Sequence, residues 1–258
     1  MLHFKFEPAK PFLERLRRPL KEGIPLYRAQ LPRQDERLPE DPLAVQDRLG
    51  PPPVRLAGHN RMSPAGISYL YVSDDEQTCI AEILPSVGSK VWLGHFDVVQ
   101  DIEVIDLRKA PEVVALSIFD PEFDWRLQTA KEFLEDFIKE IARPPRSIDD
   151  PLHYIPTQII AEYIRKCGAQ GIVYQSSQHR GGTNYALFCG PAIAPLDTHG
   201  RPVYDHWVRL RKAVTVEVTG VRLTTKPTHT LEIDAEKLDR PNSGQALFDD
   251  FKRNLESQ

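Results

Sequence analysis

The sequence is poor in features that mark several large classes of protein. Of its 258 residues only three are cysteine, Cys79, Cys167 and Cys189. They are odd in number and far apart, which argues against both a disulfide framework and a paired-thiolate zinc site. Eight histidines include no HExxH pattern, and His199 with His206 is too sparse a pair to suggest a metal. No apolar run is long enough to span a bilayer, and the opening Met1-Leu2-His3-Phe4-Lys5-Phe6-Glu7 lacks the apolar stretch of a signal peptide. A cytoplasmic protein is therefore expected. A net charge of -4, with an isoelectric point near 6.1, offers no general attraction to nucleic acid or an anionic membrane. The chain has no internal repeat, no low-complexity tract and no GxGxxG turn after a strand.

What is present is the composition of a globular domain, 41% apolar and 27% charged, in a chain long enough for one large core with extensions. Phe12, Leu13, Leu16 and Leu20 recur at helical spacing among Arg15, Arg17, Arg18 and Lys21. This predicts an amphipathic helix within an N-terminal extension, residues 1–23, its cationic face solvated. Ile24-Pro25-Leu26-Tyr27-Arg28-Ala29 reads as a strand, which Pro25 confines to a strand start or a sheet edge. Residues 31–59 turn to Pro, Asp, Arg and Gln and are expected to be a long surface connection with at most one helical turn, suited to act as a flap. Strands are expected at 91–99 and 102–107, joined by a turn near Gln100 and Asp101. A helix over 125–141 should bury Trp125, Leu127, Ala130, Phe133, Leu134, Phe137, Ile138 and Ile141. A second helix, 156–167, ends at Gly168, where a left-handed residue is favoured. The strand 171–174 then opens into a loop of small polar residues before a strand at 185–188. Residues 213–224 alternate in the manner of a strand, and the charged tail beyond Pro227 is peripheral.

Chemistry concentrates in residues 61–82. The planar guanidinium of Arg61 can hold a phosphate by two parallel hydrogen bonds. After the turn Ser63-Pro64-Ala65-Gly66, a strand over 68–72 puts Tyr69 and Tyr71 on one face. Ser73 or Asp74 would cap a helix over 75–84, in which Glu82 shares a face with Thr78 and Cys79. A distant loop, Gln175-Ser176-Ser177-Gln178-His179-Arg180-Gly181-Gly182-Thr183-Asn184, offers backbone N–H groups to a phosphate or ribose. Each piece alone has an ordinary reading: a surface arginine, core tyrosines, an exposed glutamate, a plain hairpin loop.

Together they stand in a familiar order. Leu26-Tyr27-Arg28, Asn60-Arg61-Met62-Ser63-Pro64-Ala65-Gly66, Tyr69-Leu70-Tyr71-Val72-Ser73, Ala81-Glu82 and Tyr174-Gln175-Ser176-Ser177, followed by Gly181-Gly182-Thr183-Asn184-Tyr185-Ala186-Leu187-Phe188, resemble the RES domain family, named for arginine, glutamate and serine. The resemblance covers residues 24–195, with 196–258 a strand-containing C-terminal extension and tail. It implies an α+β fold of mixed small sheets flanked by helices, similar to ADP-ribosyltransferase toxins. It also implies an enzyme that depletes NAD by cleaving its nicotinamide–ribose bond, as a glycohydrolase or phosphorylase, and so acts as a toxin. NAD is then a substrate, and neither cofactor nor metal is called for. The implied partner is a separate Xre-type helix-turn-helix antitoxin. Direct binding of nucleic acid or membrane is not expected, and self-association is one role open to the extensions.

Carried onto this sequence, the resemblance assigns catalysis to Glu82, Arg28 and Ser176, and binding of NAD to Arg28, Arg61, Tyr71, Ser176, Ser177 and Asn184. Ser176 and Ser177 are adjacent, and either can take the serine's role. The residue types suit the reaction. Departing nicotinamide leaves an oxocarbenium-like ribose that a carboxylate stabilises, and two arginines match a pyrophosphate. The missing glycine fingerprint argues against NAD as a recycled hydride carrier. Two other readings stay open, an ADP-ribosyltransferase with a protein acceptor and a catalytically silent nucleotide-binding module.

Overall fold

The computed structural model describes residues 10–34, 36–110, 125–143, 151–188 and 207–220. All belong to one compact unit spanning Met1–Val221. The C-terminal tail, Cys189, His199 and His206 lie outside the described residues.

Among the described residues, eight strands form one mixed sheet. They are β1 (Arg17–Leu20), β2 (Pro25–Gln30), β3 (Leu70–Ser73), β4 (Lys90–Val98), β5 (Ile102–Asp106), β6 (Gly171–Gln175), β7 (Thr183–Leu187) and β8 (Val208–Glu217), in the spatial order β1-β5-β6-β7-β3-β2-β4-β8. Of the described strand pairs only β5 and β6 run parallel. The long excursion between them contains the helices α4 (Trp125–Ile141) and α5 (Ile155–Lys166), as a parallel crossover requires. The other α-helices among the described residues are α1 (Lys10–Leu16), α2 (Pro42–Leu49) and α3 (Glu76–Glu82). The mixed α/β class expected from the sequence is what is observed, with the strands in one sheet rather than several small ones.

Alternation along the strands divides the core. Ile105, Ile172 and Ala186 point to one face, where Leu134 and Phe137 of α4 and Ile160 and Ile164 of α5 cover them. Their neighbours Val104, Val173 and Leu187 point to the other, with Leu26, Leu49, Val72, Trp92 and Phe96. A third cluster, Ala29, Cys79, Val91 and Leu93, seats α3 against β2 and β4.

Several elements differ from expectation for identifiable reasons. The N-terminal helix stops at Leu16, and residues 17–20 become β1, paired with β5. Pro19 cannot continue a helix, whereas a strand still buries Leu20. Pro25 occupies the first position of β2, an interior strand. Within the proline-rich connection, α2 makes two turns, capped by Asp41 and opened by Pro42. It buries Val45 and Leu49, and the Arg48 guanidinium lies 5.4 Å from the Trp92 ring centroid. Full burial of Leu49 contributes roughly 2 kcal/mol, so this segment is anchored along α2. Strands β4 and β5 follow one another without pairing together. Helix α4 has the expected bounds, yet Trp125 and Phe133 are exposed while Leu134, Phe137 and Ile141 are buried. Helix α5 is followed by Gly168 at φ +85°. Strand β7 begins at Thr183, two residues earlier than expected, and places Thr183 and Asn184 in the ladder. The C-terminal strand, β8, pairs along the whole of β4 with a bulge between His95 and Phe96.

Candidate active site

Strands β2 and β3 pair only at Tyr27 and Ser73. A cleft of about 700 Å³ borders the residues beyond that point, and its described walls include Arg28, Arg61, Tyr71, Glu82, Tyr174, Ser177 and Asn184. These come from β2, the loop before β3, β3, α3, β6, the following loop and β7.

Helix α3 delivers Glu82. Asp75, rather than Ser73 or Asp74, is its N-cap. The Asp75 carboxylate accepts from the Thr78 amide at 2.9 Å and from the Thr78 hydroxyl. Burial raises the Asp75 carboxyl, but these hydrogen bonds outweigh it and hold the group below its ordinary range. Glu82 is the last residue of the helix, where the dipole disfavours negative charge. Two donors offset that placement. Ser176 Oγ donates to Glu82 Oε1 at 2.6 Å, and Asn184 Nδ2 donates to the same oxygen at 2.7 Å. Oε2 has no hydrogen bond among the described residues.

Both donors are themselves held. Ser176 Oγ accepts from the backbone amides of Gln178 at 3.1 Å and His179 at 2.9 Å, which orients its own hydrogen towards Glu82. Asn184 Oδ1 accepts from the buried Ser73 hydroxyl at 2.7 Å, so the amide presents its NH₂ to the carboxylate. Ser73 and Asn184 are register partners of β3 and β7. The loop carrying Ser176 is tied to α3 a second time, by a 2.7 Å hydrogen bond between Thr78 Oγ1 and His179 Nδ1. Gly182 permits this approach, since a Cβ there would lie 2.1 Å from Thr78 Oγ1.

The two serines therefore have different places. The Ser176 hydroxyl is turned onto Glu82, and Ser177 lines the cleft. The arginines are also engaged. Arg28 Nη1 donates to the Gly50 carbonyl at 2.6 Å. Arg61 Nη1 donates to the Ile141 carbonyl at 2.8 Å, the Glu140 carbonyl at 3.4 Å and the Arg143 carbonyl, closing the C-terminal end of α4. The Tyr71 hydroxyl is 2.9 Å from Ser63 Oγ. Burial pushes the Tyr71 and Tyr174 phenols well above their ordinary range, so both stay neutral beside the cleft. Among the described residues no group of three or more His, Cys, Asp or Glu side chains could hold a metal ion.

Sequence reasoning missed Ser73, Thr78 and His179 as supports and Tyr174 as a wall. Strand alternation could have put Ser73 on the Tyr71 face. Nothing local could have set it opposite Asn184.

A model of the RES domain matches residues 25–210. The chain belongs to the RES domain family. The RES domain thus runs from the start of β2 into β8 and contains every site residue named above. No curated protein matches the chain in sequence. Among solved structures, it is similar to a chain of the M. tuberculosis MbcT–MbcA toxin–antitoxin complex, with 16% identity and a TM-score of 0.44 over 82% of this chain and 93% of that one. No described helix of this RES domain protein is long and apolar enough to cross a membrane.

Proposed function

We propose that this RES domain consumes NAD by breaking the bond between nicotinamide and ribose, with water or inorganic phosphate as acceptor. The observation that carries the reading is the Glu82 carboxylate. Two donors fix one of its oxygens, and it stands in a cleft with Arg28, Arg61, Tyr71 and Tyr174. Cleavage of the C1–N bond returns its electron pair to the pyridinium nitrogen, releasing neutral nicotinamide and leaving positive charge on ribose. A preorganised carboxylate stabilises that charge as it develops. The open Oε2 is suited to a ribose hydroxyl or the incoming nucleophile. Water then yields ADP-ribose and a proton, and phosphate yields ADP-ribose 1-phosphate. The arginine forks suit the pyrophosphate, and the tyrosines offer stacking surface and hydroxyl donors. NAD enters as substrate, and no cofactor is assigned.

Family membership supports a biological role as the toxin of a toxin–antitoxin pair, arresting growth by depleting cytoplasmic NAD. A separate Xre-type helix-turn-helix protein is the proposed antitoxin. The test is chromatographic measurement of nicotinamide release from NAD, with and without phosphate, for the parent protein, Glu82→Ala and Glu82→Gln. Release that drops at least about 10²-fold in both variants, while their melting temperatures stay near the parent's, is expected. No release by the parent protein overturns the reading. Release only on addition of a protein acceptor replaces it with ADP-ribosyl transfer.

A further inference from the structure

A second cleft, of about 650 Å³, lies behind the hairpin that holds Glu82. In the β6–β7 ladder Tyr174 pairs with Asn184, and Gln175 with Thr183. Successive side chains alternate between faces, so the first pair borders the catalytic cleft and the second pair borders this one. Among the described residues its lining carries four cations, Arg15, Arg18, Arg108 and Lys109, against one carboxylate, Asp106. Asp106 is bound by Arg108 Nη2 at 2.6 Å and Nε at 2.9 Å. Nearby Asp74 accepts from the Thr183 amide at 3.0 Å. Arg18 Nη1 donates to the carbonyls of Arg15 at 2.8 Å and Arg17 at 2.7 Å. Neither the Arg15 nor the Lys109 side chain has a hydrogen bond or ion pair among the described residues.

Cations on exposed chain ends ordinarily form a solvated face. Here they converge from α1, β1 and the segment after β5 on one concavity, in a protein of net negative charge. A multiply charged oxyanion would relieve their mutual repulsion, and the arginine forks match phosphate oxygens in pairs. The volume exceeds the needs of a single carboxylate. We propose that this cleft binds a phosphate-bearing anion, inorganic pyrophosphate or the polyphosphate end of a nucleotide, and that its occupancy reaches Glu82 through the shared hairpin. Gly181, Gly182 and Thr183 border the basic cleft, and the next residue, Asn184, donates to Glu82. The Gly182 carbonyl accepts from the Ser176 amide at 2.9 Å. A ligand drawn against this segment therefore displaces both donors to Glu82 together.

The probe is inorganic pyrophosphate, titrated calorimetrically into the full chain at low and high ionic strength. The parent protein is compared with Arg15→Ala/Lys109→Ala and with Arg28→Ala. Both residues of the double variant are exposed and lie outside the catalytic cleft, so its melting temperature should match the parent's. Expected are a salt-sensitive site in the parent and in Arg28→Ala, weakened at least about tenfold in the double variant, and a pyrophosphate-dependent change in nicotinamide release that the double variant loses. No binding by the parent, or binding lost in Arg28→Ala but kept in the double variant, overturns the proposal. The calorimetry uses no NAD, so its outcome stands apart from whether NAD is the substrate.

Discussion

Gly182→Ala should disable the site from behind. An added Cβ would lie 2.1 Å from Thr78 Oγ1, 2.7 Å from Cγ2 and 3.0 Å from Cβ. Thr78 cannot turn aside cheaply, because it is fully buried and its hydroxyl bonds both Asp75 and His179. The loop must therefore move by roughly 1 Å to reach ordinary contact distance. Overpacking of this kind costs about 1–3 kcal/mol of stability. The same displacement carries Ser176, whose amide is tied to the Gly182 carbonyl, and Asn184, two residues on, away from Glu82. A misplacement of about 1 Å can lower turnover by about 10²-fold. Nicotinamide release with kcat and KM separated, alongside thermal melting, is the assay. Thr78→Ala removes two of the three clashing atoms, so the double variant should recover part of the loss in a double-mutant cycle. Full kcat and an unchanged melting temperature in Gly182→Ala would refute the reasoning. A double variant no better than the sum of its parts would refute the clash with Thr78 as the cause.

Ser73→Ala leaves Asn184 Oδ1 without its donor and frees the amide to turn. A drop in kcat of about tenfold, equivalent to about 1.4 kcal/mol, is expected, and a rise in KM at unchanged kcat would contradict the orienting role. Arg61→Ala removes the guanidinium that closes α4, so denaturant titration should show a loss of about 1–3 kcal/mol, whatever the effect on substrate binding. An unchanged midpoint would refute a stabilising role for that contact. Burial raises the Cys79 thiol from 9.0 to about 12 and the Tyr69 phenol from 10.0 to about 12. Both folded values lie above the unfolded ones, so the stability linked to these groups is complete below about pH 9 and falls as pH rises towards 12. Melting temperature followed across that range should decline, less steeply in Cys79→Ala; equal slopes would remove the thiol from the account.

Period and punctuation made much of this protein readable in one dimension. The 3.6-residue repeat across Leu134, Phe137 and Ile141 located α4, Gly168 marked the end of α5, and the ordered motifs from Arg28 to Asn184 brought out the RES domain. Such signals are local, because a helix or turn is selected by residues within a few positions of one another. They failed where a distant surface decides the outcome. Trp125 and Phe133 fit the apolar stripe but face outward, α2 forms in proline-rich sequence because Leu49 finds a core to enter, and β1 replaces helix because β5 offers an edge. The site divides in the same way. Sequence alone determined which groups are available: Glu82, the arginines, the tyrosines and a serine-glycine loop. Only the tertiary structure decided that Ser176, 94 residues from Glu82, holds it while Ser177 faces the cleft, and that Ser73 meets Asn184. Sheet register sets those distances, and register depends on pairing between strands that no local pattern contains.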